Sequence, residues 1–391
     1  MNRHLFLLTI CQGLFLTNNV VFIAINGLVG LSLAPLGWMA TLPVTGYVVG
    51  GALSAGIVAR TQRLWGRQRS FQLGLVVAAL SAGLCAYAAI SENFWLLVAA
   101  TLLAGFYSAN GALYRFAGPE LVAPEFKERA ISLVLAGGVI GAFIGPNLAS
   151  ATRSLLPVPF AAAYLALVAV ALLSLATLSL IRFAPHVTPQ AGDSSGRPLA
   201  EIVRQPVFIV AVAAAALGYG VMNLLMAATP IAMQRCGLPF SDAALVLEWH
   251  VLGMFVPSFF TGHLIKRFGV LPIMAVGVLL ELVCVAVALS GIELEQFLIA
   301  LFTLGVGWNF LYIGGSTLLT TTYRPQKNKA QGAMDFCVFS TMAVTSFASG
   351  ALVTTQGWTW LNLGSLLPLA LIVASLAWLA SVQRRAEPVA T

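Results

Sequence analysis

The chain has 391 residues, of which 59% are apolar and only 8% charged, with a mean hydropathy of +0.93. A soluble domain carries about 25% charged residues, so this chain cannot cover itself with a water-facing surface, which excludes a soluble enzyme and a nucleic-acid-binding domain. A transmembrane β-barrel alternates apolar and polar residues and keeps a milder hydropathy, so the sequence predicts an all-α membrane protein.

A helix needs about 20 apolar residues to cross a bilayer. Segmenting at charges, prolines and glycine clusters predicts twelve spans: 5–31, 37–59, 70–91, 94–117, 129–152, 158–182, 206–234, 242–265, 270–291, 294–321, 330–354 and 358–382. The first run, Leu5 to Gly30, is longer than a secretory signal core and is read as a retained helix. The longest polar stretch, 183–205, carries Pro185, Pro189, Asp193 and Pro198. It divides the chain into six spans in 1–182 and six in 206–391, joined by a cytoplasmic linker. With both termini in the cytoplasm, 18 of the 20 Lys and Arg fall on that side, and only Arg153 and Arg235 on the other. That asymmetry is the positive-inside signature. The net charge of +7 is therefore a topology signal, not a nucleic-acid footprint. Trp38, Trp95 and Trp358 fall at outer span ends, as interfacial aromatics should.

Polar groups inside a membrane are costly and mark functional sites by default. In span 1, Asn18, Phe22 and Asn26 share one helical stripe. The loop after span 2 reads Gly56-Ile57-Val58-Ala59-Arg60, then Arg63-Leu64-Trp65-Gly66-Arg67-Gln68-Arg69. Span 4 offers Tyr107, Asn110 and Tyr114, with Arg115 at its cytoplasmic end. Span 5 carries Gly137, Gly141 and Gly145 at every fourth position, followed by Pro146. Small residues at that spacing let helix backbones approach closely, and the proline favours a kink. A close, kinked contact suits a helix that rocks against its neighbour, and equally a static one. Span 7 contributes Tyr219 and Asn223, and span 10 contributes Trp308, Asn309 and Tyr312. Glu248 and His250 lie in span 8, where residues two apart point about 200° apart and cannot both face one cavity. Glu248 is the favoured proton carrier, with His250 as the second candidate. Asp335, a turn inside span 11, is expected to pair with a loop Arg or Lys and hold a gate. The five cysteines, Cys11, Cys85, Cys236, Cys284 and Cys337, are scattered and imply neither a disulfide nor a metal site.

The halves echo one another. Asn18 and Asn223 are 205 positions apart, as are Gly13 and Gly218. Gly56-x-x-x-Arg60 returns as Gly262-x-x-x-Lys266, and Tyr114-Arg115 as Tyr323-Arg324. A parallel repeat about an axis normal to the membrane is a known transporter design. On these motifs the whole chain resembles the major facilitator superfamily. That family's loop motif has the form Gly-x-x-x-Asp-Arg-x-Gly-Arg-Arg. Here the acid position is basic in both copies, the second being Gly262-His263-Leu264-Ile265-Lys266-Arg267-Phe268-Gly269. The resemblance implies that Arg67, Lys266 and Arg267 take part in gating through a different latch. The span 5 glycines are similar to a motif of proton-linked drug antiporters, departing from it at Asn147-Leu148-Ala149. The resemblance also implies twelve helices in two pseudo-symmetric six-helix bundles, with spans 1, 4, 7 and 10 lining a central cavity. It places span 9 at the periphery, with Glu281 facing a neighbouring helix or lipid.

The expectation is a secondary transporter in the bacterial inner membrane, working as a monomer by rocking of its halves. No P-loop is present, so a proton gradient, not ATP, is the expected drive, and no cofactor is called for. No Lys or Arg lies mid-span, which suits a neutral or weakly cationic amphipathic cargo. Span 5 and the aromatic cavity favour efflux. The alternatives are proton-coupled or facilitated uptake of a metabolite or vitamin, and a non-transporting membrane sensor. An enzyme would need paired intramembrane acids or an HExxH cluster, and His4, His186, His250 and His263 form none.

Overall fold

The computed structural model describes residues 2–123, 126–183, 199–320 and 327–386. Among them the chain is helical, with no strand. In order come α1 (Arg3–Leu33), α2 (Leu42–Ile90), α3 (Phe94–Gly111), α4 (Tyr114–Ala117), α5 (Lys127–Thr152), α6 (Ala161–Ser179) and α7 (Leu199–Val203). The second half has α8 (Pro206–Arg235), α9 (Phe240–Phe255), α10 (Ser258–Phe268), α11 (Val270–Ser290), α12 (Leu294–Leu319), α13 (Lys327–Thr355) and α14 (Gly357–Ala386). Of the expected linker, residues 184–198 lie outside the described residues, as do Tyr323 and Arg324.

Ten helical segments are long and apolar enough to cross a membrane, and α9 with α10, bent by 42°, forms an eleventh. The twelfth crossing is contained in α2. A straight 49-residue helix would run about 73 Å, more than twice a hydrocarbon core of about 30 Å. Gly66, at φ 77 and ψ 172, breaks it into spans 2 and 3. Gly269 takes almost the same backbone, φ 89 and ψ 159, between α10 and α11. Only glycine occupies that region without strain. The matching loops of the two halves are thus built on the same conformation.

Each half is a six-helix bundle held by backbone-to-backbone crossings at glycine. A Cβ on Gly50 would meet the Leu102 carbonyl, and one on Gly105 would meet the Gly51 amide, so α2 and α3 touch directly. The second half repeats this between α9 and α12, where a Cβ on Gly253 would lie 2.7 Å from the Phe302 oxygen. The glycine stripe of α5 packs on α1 of its own bundle. A Cβ on Gly141 would lie 2.6 Å from the Gly13 oxygen and 2.7 Å from the Thr17 nitrogen, and one on Gly145 would lie 2.9 Å from Val20. It therefore binds one bundle together, and the face of α5 that meets the other half is a different one. The halves touch where α1 meets α8, α2 meets α13 and α5 meets α9. Trp38 and Trp95 are exposed as expected. Trp358 is buried instead, because its indole donates to the Ala288 carbonyl at 3.2 Å.

Candidate functional site

The expected site residues separate into three groups. The first gathers on α8 and α12. Trp308 and Tyr312 stand four apart on α12, one helical turn, and their rings stack at 5.2 Å with an interplanar angle of 8°. Tyr219 of α8 meets Trp308 edge-on at 5.2 Å and Tyr312 at 5.6 Å. From the other half, Arg115 at the end of α3–α4 reaches Tyr219 and Tyr312 electrostatically, and Asp335 of α13 lies in the same field. Arg115 and Asp335 do not close an ion pair. Two buried donors in this group lack a partner, the Trp308 Nε1 and the Arg115 Nε. Buried donors are normally satisfied, so these two unmet donors beside an aromatic plate are candidate partners for the acceptor atoms of a ligand.

The second group lies on α1 and its neighbours. Phe22 stacks on Tyr47 at 5.2 Å and 19°. The Tyr47 hydroxyl sits beside Asn18 and Ser108. It is buried without a hydrogen bond of good geometry. Tyr47 and Ser108 were not among the expected residues; a single tyrosine among the glycines of span 2 was the available signal.

The third group is partnered inside its own bundle. Asn26 accepts a 2.5 Å hydrogen bond from the Tyr164 hydroxyl. Asn110 accepts from the Ser70 hydroxyl at 3.1 Å. Tyr107 and Tyr114 enclose Phe15 edge-on in the core of the first bundle. Asn223 donates to Ser346 Oγ at 2.8 Å and to Met342 and Thr345 of α13. Asn309 braces the bend between α9 and α10, donating to the Met254 carbonyl and Ser258 Oγ, each at 2.6 Å, and accepting from Thr261. His250 Nδ1 bonds the Leu301 carbonyl of α12 at 2.7 Å, while its Nε2 is buried without a partner. Glu281 of α11 is fully buried against Gly307 of α12, so it faces a helix and not lipid.

Glu248 points the other way from His250, as the helical angle requires. Its carboxylate accepts from Asn147 Nδ2 of α5 at 2.8 Å, a hydrogen bond between the two halves. The same end of the molecule carries two further closures. Arg153 lies 5.6 Å from the ring centres of both Phe160 and Phe240, one from each half, and those rings meet at 4.9 Å. Thr41, at the start of α2, donates its hydroxyl to the Ser346 carbonyl at 2.7 Å and accepts from the Gly350 amide at 3.0 Å. It inserts into the helical ladder of α13 between residues four apart. All three closures lie at the end remote from the chain termini, whereas Arg115 and Asp335 lie toward the terminal end.

At that terminal end, Arg67 follows the Gly66 break and grips Glu120 with its Nε at 2.7 and 2.8 Å and its Nη2 at 2.7 Å. The acid missing from the loop is thus supplied by the segment after α4, within the same half. Lys266 and Arg267 are exposed, and Arg267 lies over the neighbouring Phe268 ring.

Two six-helix halves that meet around polar and aromatic side chains and are joined by side-chain contacts at one end define a secondary-transporter fold. A family profile of the Major Facilitator Superfamily matches residues 5–249 and 244–391, and the chain belongs to that family. It is 40% identical over 364 residues to the riboflavin transporter RfnT of Brucella anthropi, covering 92% of this chain and 91% of that one. It is 28% identical over 388 residues to the MFS-type transporter YdeG of Bacillus subtilis, covering 95% and 90%. Among solved structures, it overlays the nucleoside transporter NupG with a TM-score of 0.70 at 12% identity, covering 96% and 99%. A bacterial homologue of the iron transporter ferroportin, in an inward-facing state, gives 0.69 at 15%, covering 96% and 98%. These two likenesses concern the fold. The chain is a multi-pass membrane transporter and not an enzyme.

Proposed function

We propose that the protein carries riboflavin, or a flavin close to it, into the cell. The observation that carries this reading is the 40% identity to a riboflavin transporter over more than nine-tenths of both chains. The cavity chemistry agrees with it. Riboflavin is uncharged, has a flat heteroaromatic ring with carbonyl acceptors, and bears a polyhydroxy chain. The Trp308–Tyr312 plate and Tyr219 suit the ring, and the unmet donors of Trp308 and Arg115 suit its carbonyls. Asn18, Tyr47 and Ser108 offer hydroxyl and amide groups to the chain.

Uptake replaces the efflux first expected. Efflux drew on the glycine stripe of α5, which is occupied in packing against α1. The protein works as a monomer in the cytoplasmic membrane, with its termini in the cytoplasm, so the closed end faces outward. Protons drive it through Glu248, whose place between the halves links its protonation to their separation. In the binding test, purified protein is titrated into riboflavin while flavin fluorescence is followed. Saturable quenching that weakens about 10-fold or more in Trp308→Ala supports the reading. Absence of binding by the wild-type protein refutes it.

A further inference from the structure

Where α1 begins, α6 ends and α2 resumes after Gly66, the residues Arg3, His4, Gln68, Ser179, Leu180 and Arg182 line a cavity of about 570 Å³. That volume falls in the ~300–1,000 Å³ range of small-molecule sites. Three of these side chains are basic, and among the described residues none of the lining is acidic. Arg3 and Arg182 are exposed and form no ion pair among the described residues. Glu120 is held by Arg67 and lines a different cavity. The walls are tied together. The Arg182 amide donates to His4 Nδ1 at 3.4 Å, joining the end of α6 to the start of α1. With Nδ1 accepting, Nε2 carries the ring hydrogen and is a further donor. Gln72 donates to Ser179 Oγ at 3.0 Å and joins α6 to α2. The aromatic plate on α8 and α12 uses none of these residues.

We propose that this cavity binds a phosphate group, carried by the headgroup of an anionic phospholipid. Two guanidinium groups without a countercharge attract an anion, and their planar forks match phosphate oxygens. A free phosphate ion shares that chemistry. The placement favours the lipid. The cavity lies at the ends of two helices long and apolar enough to cross a membrane. Apolar side chains stand beside the basic ones. Leu180 in the lining is 55% exposed, and Phe6, one turn along α1 from Arg3, is 48% exposed. Acyl chains can lie on these residues while the phosphate meets the arginines. Basic pockets between spans at the cytoplasmic side are where anionic headgroups are recognised. A headgroup seated here bridges α1 and α6 and steadies the first half.

The experiment follows the melting temperature of the full chain in detergent as phosphatidylglycerol, phosphatidylcholine or inorganic phosphate is added, since a ligand of the native state raises it. Phosphatidylglycerol is expected to reach half its effect at a concentration at least ~10-fold below phosphatidylcholine, the scale of two arginines near a headgroup. Inorganic phosphate at the same concentration is expected to leave the melting temperature unchanged. Arg3→Gln/Arg182→Gln is expected to lose the preference for phosphatidylglycerol, and Arg3→Lys/Arg182→Lys, which keeps the charge, to retain most of it. Arg182→Gln alone is expected to lower it about 5-fold, which keeps the test open if the double variant does not fold. Arg384→Gln/Arg385→Gln removes two exposed charges at the same end and is expected to change nothing. Equal response of the wild type to both lipids overturns the inference, as does a preference that survives the Gln substitutions at Arg3 and Arg182. An equal loss in Arg384→Gln/Arg385→Gln overturns it too, because the attraction then belongs to the whole charged face. Inorganic phosphate that matches phosphatidylglycerol at equal concentration assigns the cavity to the free ion and overturns the lipid source.

Discussion

Polar side chains inside a membrane must find partners, and the asparagines here find them at different depths of the structure. Asn309 takes the Met254 carbonyl at the bend of the eighth span and fixes Ser258 and Thr261 around it. Removing its side chain leaves those buried groups unmatched. Asn309→Ala should therefore cost about 1–3 kcal/mol, read as a lower melting temperature in detergent, with riboflavin affinity little changed. Asn26, Asn110 and Asn223 are likewise held within one bundle. Helical spacing told which residues share a face, and it found Trp308 and Tyr312 together. It could not tell which neighbouring helix lies opposite that face, and so it grouped Tyr107 and Tyr114 with them. Tyr47 escaped notice because it stands alone in its span and forms no stripe. Glu248 and His250 were separated by helical angle alone, and the structure sends them to α5 and α12 respectively. Glu248→Gln should abolish accumulation driven by an inward proton gradient while leaving flavin binding intact. Accumulation at the wild-type level in that variant removes Glu248 from the coupling role.

At the level of helices, Thr41 is the clearest contact between halves. Its hydroxyl sits inside the hydrogen-bond ladder of α13, taking both the Ser346 carbonyl and the Gly350 amide. Insertions of this kind bend helices. When this end opens, Thr41 must withdraw from α13. Thr41→Val keeps the shape and loses both hydrogen bonds, so it should favour the state open at this end. Accessibility of a cysteine placed at Ala40 to an impermeant thiol reagent measures this, and an unchanged labelling rate contradicts it. The loop glycines divide in the same physical terms. Gly56 and Gly262 have open space around them and should tolerate alanine. Gly66 and Gly269 hold positive φ, and alanine there should cost about 1–3 kcal/mol each. The sequence motif marked all four alike, since it records residue identity and not dihedral angle.

For the molecule as a whole, hydropathy and the distribution of basic residues were enough to find twelve crossings and two halves. Even the helix that continues through Gly66 was divided correctly, because four arginines interrupt its apolar run. The repeat is deeper than the matched residues suggested. Asn18 and Asn223 do not play matching parts, whereas the Gly50–Gly105 and Gly253–Gly305 crossings do. Direction and cargo were not legible, because a cavity of asparagines and aromatics fits many neutral solutes. The direct test of the account is riboflavin uptake into proteoliposomes holding the purified protein, with and without an inward proton gradient. Saturable accumulation that requires the gradient and collapses in Trp308→Ala is the expected result. Uptake no greater than in protein-free liposomes, under either condition, would contradict it.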